Sequence, residues 1–478
     1  MRRLFFEKQT RLLRRLIFIA LVISIAFISE ISTTYSDETE KRIEEEKRET
    51  LEKERLASSL KKEQLVFDYG GWFNFRYDDF EDSDNDSGTP DTYNYRTSSD
   101  IRLWLRLSLR PDPGDPYKNR HSLYLRLKDS YTDRHYANED GGGDRNGPHL
   151  DYAYLTLDFN PYWIEAGRRY CSIGRGIAYS DIADSVEFWM SFSQWDFKIL
   201  AAQTLAHEDN IDTSVPGYDK ESNRHFYGLE VGLDAAEDQR IYAYTLIQRD
   251  YSDEQPEDSI HDYSYDSEYI GLGAEGTIFS DTDYWIELIH QTGKSRIYDT
   301  KEKRDIKAWA VNLGLGYDLE IPSHPSIELE YMFGSGDSSR TSVTNTQNGN
   351  TSKKDTNFLY FGYLPTGYTL SPALSNIHVY KAGLKCTPFE KISILKRLTA
   401  SLNYFRYYKD KSAGGIDDAE AVLNDKDIGS EIDVSISWDI FSDLSLNLQY
   451  GHFMPGDAYP KETNDNEEYF SLSTIFTF

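Results

Sequence analysis

The chain has 478 residues, with 52 Lys and Arg against 81 Asp and Glu, a formal charge of −29 that argues against a nucleic-acid-binding surface. No apolar run reaches the roughly 18 residues a membrane-spanning helix needs, and two Cys exclude a disulfide scaffold or a Cys-rich metal protein. Only 39% of residues are hydrophobic, yet 14% are aromatic, 36 of them Tyr, which disordered chains do not show. A large, acidic, Tyr-rich β protein remains, and a transmembrane antiparallel β-barrel fits it.

In chain order, Arg2, Arg3, Lys8, Arg11, Arg14 and Arg15 precede an apolar run from Leu16 to Ile28, with small residues after it. The run is short for a span and right for a signal peptide, expected over 1–36. Residues 37–66 read as a charged helical periplasmic extension. Glu38/Arg42, Glu44/Arg48 and Glu49/Lys53 are four apart in the favourable order, and Ile43, Leu51, Leu56 and Leu60 hold no heptad.

From 67 to 478 the pattern has period two, the mark of strands with one apolar face. Leu103, Leu105, Leu107 and Leu109 alternate with Arg102, Trp104, Arg106 and Ser108. Leu123, Leu125 and Leu127 alternate with Tyr124, Arg126 and Lys128, and Ile432, Val434 and Ile436 with Glu431, Asp433 and Ser435. The segments run about 10 residues, enough for a tilted strand to cross a bilayer. Aromatic residues bound many of them, as at Tyr69/Trp72, Phe159/Tyr162/Trp163 and Trp438/Phe441.

About 18 such segments are expected. Tight turns fall at Asn160–Pro161, Asp281–Thr282 and Ser442–Asp443. Long polar stretches fall at 78–99, 131–148, 204–224, 250–266, 336–376 and 408–428. Short periplasmic turns and long extracellular loops are the barrel arrangement. The last strand alternates Phe470, Leu472, Phe476 and Phe478 with Ser471, Ser473 and Thr477, and its terminal Phe looks like an outer-membrane assembly signal.

The motifs that suggest other chemistry are weak. Gly271-x-Gly273-x-x-Gly276 matches a dinucleotide fingerprint but lies inside a strand with no helix after it, so glycines on a crowded lumen face are the better reading. Asp82, Asp84, Asp86 and Gly88 resemble a calcium loop, with Gly one position late and Tyr93 where a ligand belongs. A solvated acidic loop is expected. The ten His show no zinc spacing, Gly-x-Ser-x-Gly is absent, and Cys171 and Cys386 are expected to be unpaired. No catalysis, no metal and no cofactor are expected.

Charge on the polar faces is asymmetric. Alternation turns Arg76, Arg102, Arg106, Arg126 and Lys128 inward, and Arg168, Arg169 and Arg175 follow soon after. Further along, Glu230, Glu275, Glu287, Glu328, Glu330, Glu431 and Asp433 turn inward. Two readings stand level: a guide rail for an anionic substrate, since Arg pairs with carboxylates two-pronged, or an internal Arg–Glu network bracing the barrel.

Several segments resemble the alginate-export family of bacterial outer-membrane porins. Glu165 to Arg169 followed by Gly174-Arg175-Gly176 is similar to its Gly-Arg strand and follow-on. Trp285 to Gly293, with Glu287 and Gln291, is similar to another strand. Phe333 to Asp337, Asn357 to Asn376, Gly429 to Asp433 and His452 to Asp457 match in order. The resemblance implies an 18-stranded monomeric barrel in the outer membrane, in contact with lipid and lipopolysaccharide and with periplasmic export partners, passing an alginate-like uronate polymer outward. It carries lumen roles onto Arg76, Arg102, Arg106, Arg126, Arg168, Arg169 and Arg175. The alternatives are a general or neutral-sugar diffusion porin, and a plugged barrel acting as a surface adhesin or scaffold.

Overall fold

The computed structural model describes residues 64–81, 95–110, 121–135, 142–205, 222–252, 265–279, 281–296, 303–344 and 354–478. The expected signal peptide, nearly all of the extension and the acidic loop at 82–91 lie outside these residues. The chain forms two units, Met1–Leu65 with Leu109–Asn119, and Val66–Ser108 with Arg120–Phe478. The second carries the barrel.

Period-two sequence becomes strand almost throughout. The first six strands are β1 (Gln64–Glu81), β2 (Tyr95–Arg110), β3 (His121–His135), β4 (Gly143–Asp158), β5 (Tyr162–Ile173) and β6 (Tyr179–Phe192). Next come β7 (Trp195–Gln203), β8 (Arg224–Ala236), β9 (Gln239–Asp250), β10 (Asp266–Ile278), β11 (Thr282–Arg296) and β12 (Lys303–Asp318). The last are β13 (Ser326–Gly334), β14 (Ile377–Cys386), β15 (Leu398–Lys409), β16 (Asp427–Asp439), β17 (Leu444–Pro455) and β18 (Glu467–Thr477). Each pairs with its neighbours, and β1 also pairs with β18, which closes an 18-stranded antiparallel barrel. Full closure leaves no open sheet edge, as a bilayer requires. Among the described residues there is no helix.

The alternation has the expected hand. Ile101, Leu103, Leu229, Leu272, Ile286, Leu288 and Leu329 are exposed on the outside. Their sequence neighbours point into the barrel. Turns of two to four residues join β4–β5, β6–β7, β8–β9, β10–β11 and β16–β17 at one end, and the long connections lie at the other.

The lumen is not an open tube. The tip of the β5–β6 hairpin and the long β13–β14 connection both fold inward. Ile173, Ile177, Ala178 and Tyr179 are at most 1% exposed, and they share one apolar cluster with Phe358, Leu359, Leu364 and Leu374 of the connection and with Leu200, Phe226 and Leu246 of the wall. The two inward segments are tied backbone to backbone. Phe361 N–H donates to Ala178 O at 3.0 Å, Ser180 N–H to Phe361 O at 3.1 Å and Tyr363 N–H to Gly176 O at 3.2 Å. The barrel therefore contains a core, which its long, polar-looking connection helps to build.

Gly271 and Gly273 lie on this crowded face. A Cβ at either would come within 2.1 Å of the Tyr244 or Tyr242 ring, so the motif makes room for tyrosines and no nucleotide-binding turn exists.

Candidate functional site

The inward face of β1–β4 carries a wall of guanidinium and aromatic groups. Arg76 donates to Asp78 at 2.7 Å and also bonds the Tyr469 hydroxyl. Arg96 grips the other oxygen of Asp78 at 2.7 and 3.0 Å. Arg126 forms a two-pronged pair with Asp151 at 2.7 and 2.8 Å. Arg102 reaches Asp100 at 3.2 Å and Asp151 at 3.5 Å. The planar groups stack as well: Arg126 lies 3.8 Å from the Tyr152 ring centre, and Arg102 and Arg126 both lie over Trp72. These contacts fix the side chains and leave the guanidinium edges partly facing the lumen.

Arg106 differs from its neighbours. It lies 5.4 Å from the centre of the Tyr124 ring, and among the described residues it has no carboxylate partner. Trp104, Tyr124 and Tyr154 continue the aromatic run beside it, with Trp104–Tyr124 centres 6.1 Å apart and Tyr124–Tyr154 centres 5.2 Å apart.

The remaining arginines named from the sequence divide. Arg169 points inward on β5 and is held by Glu165 at 2.7 Å and by Glu187. Arg168 does not: it shares the outward face with Tyr162, Ile164 and Tyr170, and pairs with outward Asp184 at 2.9 and 3.1 Å. Its expected lumen place is corrected by strand geometry, because adjacent residues face opposite sides and only one of Arg168 and Arg169 can point in. Arg175 is on no strand. It sits at the inward β5–β6 tip, 3.1 Å from Glu275 and over the Trp285 ring.

Much of the acidic wall has a structural role. Glu287 accepts from the Tyr242 and Tyr244 hydroxyls at 2.7 Å each and from Arg175 N–H at 2.8 Å, while Glu230 accepts from Gly174 N–H at 2.8 Å. Glu431 accepts from the N–H groups of Tyr368, Thr369 and Leu370 at 2.7, 2.7 and 3.1 Å and from the Tyr407 hydroxyl at 3.0 Å. The carboxylates thus hold the inward segments by charge-assisted bonds to backbone that water would otherwise solvate. Glu328 and Glu330 flank Lys381. Period-two reading finds these residues but not the loop N–H groups that bond Glu230, Glu287 and Glu431.

Outside the strands, burial pushes the Asp417 carboxyl up from its ordinary value, with help from Asp418. Asp417 also accepts from Ala373 N–H at 3.2 Å. With Asp418, Glu467, Glu468 and Glu81 it borders a cavity of about 300 Å³ beside Tyr368–Leu370. Cys171 and Cys386 are unpaired. Among the described residues no group of three or more His, Cys, Asp or Glu could hold a metal ion.

A closed, evenly stranded antiparallel barrel with an apolar exterior and a charged interior is an outer-membrane channel. Residues 85–472 match the family model described as alginate export, and the chain belongs to that family. No curated protein sequence matches the chain. Among solved structures it is similar to OccK11 (OpdR) of Pseudomonas aeruginosa, at 10% identity and a TM-score of 0.53, over 86% of this chain and 96% of that one. OccAB1 of Acinetobacter baumannii is similar at 11% identity and 0.53, again over 86% and 96%. OpdK of Pseudomonas aeruginosa, solved with vanillate, is similar at 10% identity and 0.51, over 86% and 98%. At such identities the likeness concerns the fold. The family and the barrel place the chain in the bacterial outer membrane.

Proposed function

We propose that this channel passes an anionic, carboxylate-bearing polysaccharide or oligosaccharide, alginate-like in its uronate groups, along the β1–β4 wall. The observation that carries the reading is Arg106, an inward guanidinium without a carboxylate partner among the described residues, on the same strand face as Arg102, which shares Asp151 with Arg126. A carboxylate in the pore gains a two-pronged partner there without displacing an internal ion pair. The paired arginines act as a fixed positive surround. The sites are shallow, as passage requires, because tight binding would slow exit. Transport is passive and uses no cofactor.

A neutral-sugar path is the second reading, favoured by the unbroken run Trp104–Tyr124–Tyr154. Planar-bilayer recordings in a salt gradient separate the two. The channel is expected to be anion-selective and to be blocked by oligomannuronate but not by a neutral oligosaccharide. Arg106→Glu should reduce that selectivity severalfold. Selectivity unchanged by the substitution, or equal block by both sugars, would move the assignment to the neutral-sugar path.

A further inference from the structure

The turn joining β14 to β15, residues 387–397, is unlike every other described turn at the short-turn end of the barrel. Those turns carry Glu237, Asp238, Asp281, Glu320 and Asp443. This one, with the strand ends beside it, carries Lys385, Lys391, Lys396 and Arg397, all exposed and, among the described residues, none with a carboxylate partner. Its one acid, Glu390, lies 3.5 Å from His324. In a chain with 81 acidic residues against 52 basic ones, this is a basic island.

The backbone gives the island a shape. Ile392 N–H donates to Phe389 O at 3.0 Å, Leu395 N–H to Ile392 O at 2.9 Å and Leu398 N–H to Leu395 O at 2.9 Å. These bonds close three tight turns in succession, each from one residue to the third before it. Phe389 and Ile392 are each 44% exposed, so the turn presents an apolar surface. The turn also has a fixed seat. Trp438 faces outward with Ile432, Val434 and Ile436, and its indole N–H donates to Ile394 O at 2.9 Å. The turn thus folds back over the outside of the barrel at its rim.

We propose that this turn is an interfacial anchor that binds anionic phospholipid of the periplasmic leaflet. Phe389 and Ile392 enter the acyl boundary, and Lys391, Lys396 and Arg397 hold headgroup phosphates. Outward placement, an exposed apolar surface and unpaired cations around it are what an anionic membrane recognises. A phosphate at this depth neutralises cations that have no carboxylate partner among the described residues. The inference needs only the outer-membrane location and is independent of what the channel carries.

The full-length protein in neutral detergent is titrated with phosphatidylglycerol or phosphatidylcholine, and bound lipid is counted by native mass spectrometry. The wild type should retain phosphatidylglycerol in preference. Each cation near an anionic surface contributes about fivefold in affinity, so Lys391→Gln, Lys396→Gln and Arg397→Gln together should lower retention at least tenfold and leave phosphatidylcholine unchanged. Phe389→Ser with Ile392→Ser should lower both lipids alike. Equal retention by the triple variant, or no headgroup preference in the wild type, would overturn the proposal. Displacement of phosphatidylglycerol by glycerol phosphate or oligomannuronate at matched charge would also overturn it, since that would make the island a general anion site.

Discussion

Residue by residue, position on the pleat decides what a charge can do. Arg106 and Arg168 are both Arg on early strands, but one points inward and the other pairs with Asp184 on the outside. Arg168→Gln is therefore expected to leave the reversal potential of the channel unchanged, where Arg106→Glu shifts it. A shift of equal size in both would mean that the charges act through the general field and not by lining the path. Gly273 makes the matching case for size. Gly273→Val drives a side chain into the Tyr242 ring, and overpacking of this kind costs about 1–3 kcal/mol. The variant should unfold at lower temperature in the gel-shift assay that separates folded from unfolded barrels.

At the scale of elements, one wall carboxylate, Glu431, holds residues 368–370 of the inward loop. Gly367 has φ +142° and passes so close to Glu431 and Tyr407 that a Cβ would fall 2.7–2.8 Å from their oxygens. Three N–H groups and one hydroxyl then converge on Glu431. Bonds to a charged acceptor contribute about 1.5–3 kcal/mol each in favourable settings. Glu431→Ala should therefore release the 366–370 segment, raising single-channel conductance and exposing the segment to protease. Unchanged conductance and cleavage would show that the apolar cluster alone holds it. Asp417 accepts from Ala373 N–H, three residues beyond that segment in the same loop. Its carboxyl is raised by burial, so its contribution is fully present at acid pH and falls as pH rises through the raised value. Protease cleavage of the segment should increase from acid to neutral pH, and Asp417→Asn should flatten that dependence.

These elements also show what the chain discloses. All 18 strands are legible because period two persists along each one, and a one-residue slip would turn its apolar set inward. Both Glu287 and Glu431 can be placed inward by counting. The inward fold of 174–178 and 354–376 cannot, since nothing periodic marks a loop, and its partners are far away in sequence. The pairing of Arg126 with Asp151 was likewise hidden, because bulges between Arg126 and Leu127 and between Lys128 and Ser130 shift the β3–β4 register.

On the scale of the whole molecule, the lumen is filled on one side. The cluster built from the β5–β6 tip and the β13–β14 connection takes in Leu200, Phe226, Tyr244, Ile289 and Ala310 of the β7–β12 wall and Val379, Phe405, Tyr407 and Phe453 of β14–β17. The β1–β4 wall stands outside that cluster. On the proposed reading a solute follows the side that carries Trp72, Asn74, Trp104 and Arg106, where a passing carboxylate would come within reach of the guanidiniums without a pore narrowed all round. The asymmetry can be mapped with introduced cysteines. Cys386 is first replaced by Ser, while Cys171 is buried and held by Ser185. Asn74→Cys and Trp104→Cys should react with a charged thiol reagent and cut conductance as they do so. Phe226→Cys and Ala310→Cys, on the filled side, should not react in the folded barrel. Reaction at Phe226→Cys as fast as at Asn74→Cys would show that water and ions reach the β7–β12 wall, and the path would then have to be placed across the whole barrel interior.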